Sequence, residues 1–240
     1  MLSNILSRAP ARSVDDVVSI MTAIDHRLPD NDGLKWFNRL YLGVTVSVRG
    51  ALGATFADPA FVEHLDVVFA NQYFSAIGRS DGGPSGAPAA WRPLLQARHA
   101  DGIARLQFAL AGMNAHINRD LPEGIVQTFK KMGGDPVSDE TRRRDFESVN
   151  AVLERVEAEV KAEFSVGVIR EVDMLAGQLD DVIAMWNVRA ARAAAWTHAQ
   201  VLWSLESVPR VRNAFFDKLD GLTGFAGRGL LAPRGLTHGT

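Results

Sequence analysis

Apolar residues along this chain recur at intervals of three and four rather than two, the period of helices that bury one face. Ser13 and Asp16, spaced as an N-cap and an acidic third residue, open a helix that carries Val17, Ile20, Met21 and Ile24 on one side. After the turn residues PDNDG a second helix is predicted over 34–52, with Phe37, Tyr41, Val44 and Val48 as its stripe. Asp58 and Pro59 start a third, the proline being suited to a first helical turn. The stretch SDGGPSGAPA at 80–89 is a loop by composition, either a lid or a plain connection. A fourth helix is predicted over 90–119 and a short one from Leu121. A charged amphipathic helix over 141–164, an Ala-rich helix over 179–207 and a last helix over 208–222 follow. The expected fold class is therefore all-α, a single-domain bundle of about eight helices. Its expected organisation is an N-terminal segment at 1–12, a helical domain at 13–225 and a flexible tail at 226–240.

Polar residues that interrupt an apolar stripe change the picture, because an inward-facing charge must be paired, neutralised or used. On the fourth helix Ala109, Gly112 and Met113 precede His116 at one- and two-turn spacings, which puts the imidazole on the apolar face. Asp66 shares a face with Val62, Phe69, Tyr73 and Ile77, and Asp145 heads Val149, Val152 and Val156. His198 follows Ala191, Ala194 and Ala195 on the Ala-rich helix. Each of these residues also fits a satisfied core polar group or a helix-end partner.

Asp120 has two readings. With Pro122 and Glu123 it resembles the cap of the next helix, and at four residues from His116 it can pair with the imidazole. Asn114 and Asn118 lie on the adjoining face, where they either tie down the helix end or, through Asn114, reach a substrate. Arg119, Arg189 and Arg192 are expected at the surface or in ion pairs, His26, His64 and His99 in solvent, and Trp36, Trp186, Trp196 and Trp203 in the core.

Composition narrows the chemistry. A formal net charge of -2 provides no basic field for phosphate backbones, so nucleic acid is not an expected partner. The absence of cysteine excludes disulfides and thiolate metal sites, and leaves any metal to His, carboxylate or amide ligands. With no signal-like apolar segment at the start and no apolar run of membrane-spanning length, a cytoplasmic protein without a membrane span is expected. HExxH, Walker, GxSxG and Glu-x-x-His patterns are all missing.

The block GMNAHINRDLP resembles the NAHI-containing motif of the bacterial DUF5995 proteins, a domain of unknown function. WFNRLYLGVTVSV, FVEHLDVVFANQYFSA, DFESVN and MWNVRAARAAAW are similar to that family's other recurrent blocks, together covering 34–203. The resemblance implies no activity, but it emphasises Asn114, His116, Asp120, Asp145 and Asn150 as motif positions. A second resemblance, to helical zinc-dependent phospholipases C and nucleases, rests on the His-x-x-x-Asp that ends an apolar helix.

The function expected from these residues is an enzyme with a largely apolar pocket between its helices, acting on a small hydrophobic molecule without a required cofactor. His116 is its acid/base, with Asp120 and Asn114 as the other catalytic candidates. Asp66, Tyr73, Asn150 and Trp186 are the candidate substrate contacts. The alternatives are a divalent-metal hydrolase or oxygenase using His116, Asp120, Asp145 and His198, and a non-catalytic binding or scaffold protein. A homodimer is left open.

Overall fold

The computed structural model describes residues 2–166 and 187–232, and every regular element among them is helical. After a single turn at Ser3–Leu6 (α1), Val14–Arg27 (α2) begins where Ser13 Oγ accepts the Asp16 amide at 3.1 Å and Asp16 returns a bond to the Arg12 amide at 2.9 Å. Asp32 caps Gly33–Ala51 (α3) through the Leu34 amide, and Asp58 caps Pro59–Gly78 (α4) through the Phe61 amide. These starts follow the sequence signals. The stretch at 80–89 contains two short 3-10 turns, Arg79–Gly82 and Pro84–Gly86, and is fastened at its end by Asp220, whose oxygens accept the Ala89 and Ala90 amides.

The predicted helix over 90–119 is not one helix. It divides into Arg92–Ala97 (α5) and Arg105–Ala115 (α6). The cause is tertiary: Arg98 pairs with Asp32, its carbonyl accepts the Gly33 amide at 2.6 Å, and Gly102 turns the chain at φ 76°. α6 then restarts where Gln107 Oε1 accepts the Ala104 amide at 3.0 Å. At its far end α6 does not stop. A π-helical turn, His116–Asp120, carries it directly into Leu121–Met132 (α7). Pro122 has no N–H for the Asn118 carbonyl and its ring crowds that oxygen, and a widened turn relieves both.

Glu140–Val166 (α8), Val188–Ser204 (α9) and Pro209–Leu230 (α10) complete the described chain. Asn187 Oδ1 caps α9 through the Ala190 amide, and the predicted part of the Ala-rich helix at 179–186 lies outside the described residues. The last helix runs eight residues beyond the predicted end at Leu222 and through the start of the expected flexible tail. One of its glycines, Gly224, makes a close contact: a Cβ there would lie 2.4 Å from the Ala89 carbonyl oxygen.

α3 and α6 form the centre, with α2 and α8 against α3, α10 against α6, and α4 and α9 against α7. The approach of α3 to α6 requires Gly112, where a Cβ would stand 2.3 Å from the Phe37 ring. Among the described residues no helix is long and apolar enough to cross a membrane.

Candidate active site

The π turn aims two side chains into the protein's interior. His116 and Asp120 are both buried, and His116 Nδ1 lies 3.0 Å from Asp120 Oδ2. The same oxygen accepts Trp91 Nε1–H at 2.9 Å, and Oδ1 accepts Arg119 Nη1 at 2.6 Å. Asp120 therefore does not cap α7: its backbone is helical and its oxygens serve three side chains. With Nδ1–H directed at a carboxylate, the imidazole presents Nε2 as its lone-pair nitrogen. Burial pushes the His116 pKa below its ordinary value, while the Asp120 hydrogen bond opposes that shift.

His116 is held on its other side by aromatic rings. Phe69 stacks on it at 3.5 Å with planes 6° apart, and the Tyr41 ring meets it edge-on at 4.6 Å. Its Nε2 has no hydrogen-bond partner among the described residues. Neither has the Tyr41 hydroxyl nor Asp66 Oδ2. Thr45 lies near the Tyr41 hydroxyl without completing a hydrogen bond. All three of these residues line one cavity of about 50 Å³, whose other walls include Val44, Val62, Leu65 and Met113. Burial raises the Asp66 carboxyl from 3.8 to about 7, helped by the charge of Glu63. Burial likewise raises the Tyr41 hydroxyl well above 10, helped by Asp66, so it is a donor at neutral pH.

Arg192 also lines this cavity, although the sequence placed it at the surface or in an ion pair. It is buried, with Nε bonded to Asn150 Oδ1 at 2.8 Å and Nη2 to the Phe146 carbonyl at 2.6 Å. The missed signal was its spacing from Ala195, Trp196, Ala199 and Leu202, the residues that form the buried stripe of α9. Arg189 in contrast is exposed and pairs with Glu154. In sequence Tyr41, too, is only a stripe residue, because nothing local marks a tyrosine whose hydroxyl lacks a partner.

The remaining candidates are placed elsewhere. Asn114 does not line the cavity: its Nδ2 donates to the Thr223 carbonyl at 2.9 Å and its Oδ1 accepts from Asn118 at 3.1 Å, tying α6 to α10. The Tyr73 hydroxyl donates to Asn38 Oδ1 at 3.2 Å, away from the cavity lining. Asn150 does not line the cavity and accepts from Arg192, which does. Trp186 lies outside the described residues. Asp145 accepts the Ala57 and Asp58 amides at 2.9 and 2.6 Å, fastening the entry to α4, and half-buried His198 meets the Phe215 ring at 5.9 Å. The four metal candidates are thus not brought together. Among the described residues no three His, Asp or Glu side chains are placed to share a metal ion.

In comparison with known proteins, one family matches, described as "Family of unknown function (DUF5995)", over residues 14–233. No curated protein and no solved structure matches the chain.

Proposed function

The chain belongs to the DUF5995 family, whose function is unknown, and from that premise we propose that it is an enzyme moving protons on a small apolar molecule held against His116. The observation that carries this reading is that His116, Tyr41 and Asp66, whose Nε2, Oη and Oδ2 lack partners among the described residues, line one apolar cavity. A buried polar atom left unsatisfied costs roughly 1–3 kcal/mol, so three together are a burden that bound ligand groups would lift.

In this reading neutral His116 takes a proton at Nε2, and Asp120 orients the ring and stabilises the imidazolium that forms. Asp66, poised near neutrality, returns a proton, and the Tyr41 hydroxyl donates to a substrate oxygen. Isomerisation and elimination need only such a base and acid. The cavity, at about 50 Å³, is smaller than the roughly 150 Å³ that takes up benzene. It accepts a short apolar group or the reacting end of a longer molecule.

The test is ligand-observed NMR with a set of four- to eight-carbon ketones and alcohols, followed by mass spectrometry of deuterium incorporation from heavy water. Bound ketones are expected to exchange their acidic C–H protons, with a loss of roughly a hundredfold or more in folded His116→Gln. Absence of binding, or exchange unchanged in that variant, overturns the reading. Binding without exchange leaves a carrier instead of an enzyme.

A further inference from the structure

Arg192 differs from the other largely buried arginines among the described residues. Arg98 pairs with Asp32, Arg119 with Asp120, Arg142 with Asp58 and Arg212 with Glu123. Arg192 is more deeply buried than any of them, yet no carboxylate pairs with it among the described residues. Its hydrogen bonds go to two neutral oxygens, on Asn150 and Phe146, and its guanidinium lies 4.1 Å from the Phe146 ring centroid. Nη1 makes no hydrogen bond among the described residues. Burial lowers its pKa to about 10, with no acidic group opposing the shift, and it stays charged at neutral pH. An unpaired cation in an apolar wall is costly to keep, and its natural complement is an anion.

We propose that the molecule held in this cavity is a small apolar carboxylate, and that Arg192, set in place by Asn150 and the Phe146 carbonyl, receives its carboxylate group. This rests on the reading of the His116 cavity as a ligand site and adds the substrate class. A single charge on the ligand balances the single guanidinium. A dianionic phosphate would bring excess charge into a wall that also holds Asp66. The carboxylate and its first carbons fill the cavity between Arg192 and His116, and the rest of a longer apolar chain continues out of it.

The probes are hexanoate and 1-hexanol, equal in chain length and different in charge, titrated by calorimetry into the full chain at neutral pH. Hexanoate is expected to bind at least about tenfold more tightly than hexanol, the scale of one charge-assisted hydrogen bond. In Arg192→Met, which removes the charge and keeps a similar length, hexanol binding is expected to persist and the preference to vanish. Equal affinities in the parent, or an undiminished preference in folded Arg192→Met, overturn the inference and leave the His116 reading standing. Failure of both probes to bind overturns the two together. If the variant does not fold, the Arg192 Nε–H resonance of the parent decides: it must shift with hexanoate and not with hexanol, and the reverse pattern overturns the assignment.

Discussion

Burial acts on His116 and Asp66 in opposite senses, and stability should record both. The Asp66 carboxyl is raised from 3.8 to about 7, so the stability its neutral form contributes is fully present below about pH 4 and is lost as pH rises to about 7. Asp66→Asn keeps the shape and removes the titration. It is expected to match the parent near pH 4 and to exceed it above pH 7 by up to about 4 kcal/mol, at 1.36 kcal/mol per pH unit. Urea denaturation across that range checks this. His116 has its pKa lowered from 6.5, so its contribution is intact above pH 6.5 and falls away as pH drops toward the folded value. Asp120 makes a separate prediction. Asp120→Asn breaks a buried pair with Arg119 and faces the His116 and Trp91 donors with an amide. A loss of roughly 3–5 kcal/mol is expected. Nitrogen NMR of the imidazole should also show the proton leaving Nδ1, which a purely steric defect does not cause.

At the scale of elements, helix type and most helix starts were legible. Ser13, Asp32 and Asp58 cap where side chains of that kind can reach their own following amides, a purely local interaction. The break between α5 and α6 was not legible, since it depends on Arg98 reaching Asp32, 66 residues away in sequence. The π turn was hidden for a related reason: Asp120, Pro122 and Glu123 carry the signature of a new helix, and only packing shows the chain running straight through. Gly112 shows how strongly packing governs the α3–α6 pair. Alanine there gains about 1 kcal/mol of helix propensity, yet its methyl would sit 2.3 Å from Phe37. Gly112→Ala is therefore expected to lower stability by a net of up to about 2 kcal/mol, the roughly 1–3 kcal/mol of an overpacked core less that gain, as read from thermal or urea unfolding.

Across the whole molecule α10 acts as a clasp. Thr223 receives Asn114, the carbonyls of Leu230 and Ala232 receive Gln107 Nε2, and Leu231 is buried. A chain truncated after Ala226 should therefore lose roughly 2–4 kcal/mol, from one buried leucine and the acceptors of Gln107. A freely mobile tail would lose nothing. Periodicity and capping chemistry were enough to reveal an all-α protein, and an inward His116 with Asp120 one turn away, because both are properties of neighbours in sequence. The cavity belongs to the packed state. Tyr41, Asp66, His116 and Arg192 come from four separate helical elements. Whether a polar atom lacks a partner depends on every side chain around it. The same logic sorted the candidates, for Asn114 and Asp145 look in sequence like site residues and in three dimensions are occupied by backbone groups more than 80 residues distant. Local spacing can say which face a residue is on, whereas its partners, its burial and therefore its protonation are set only when the helices meet.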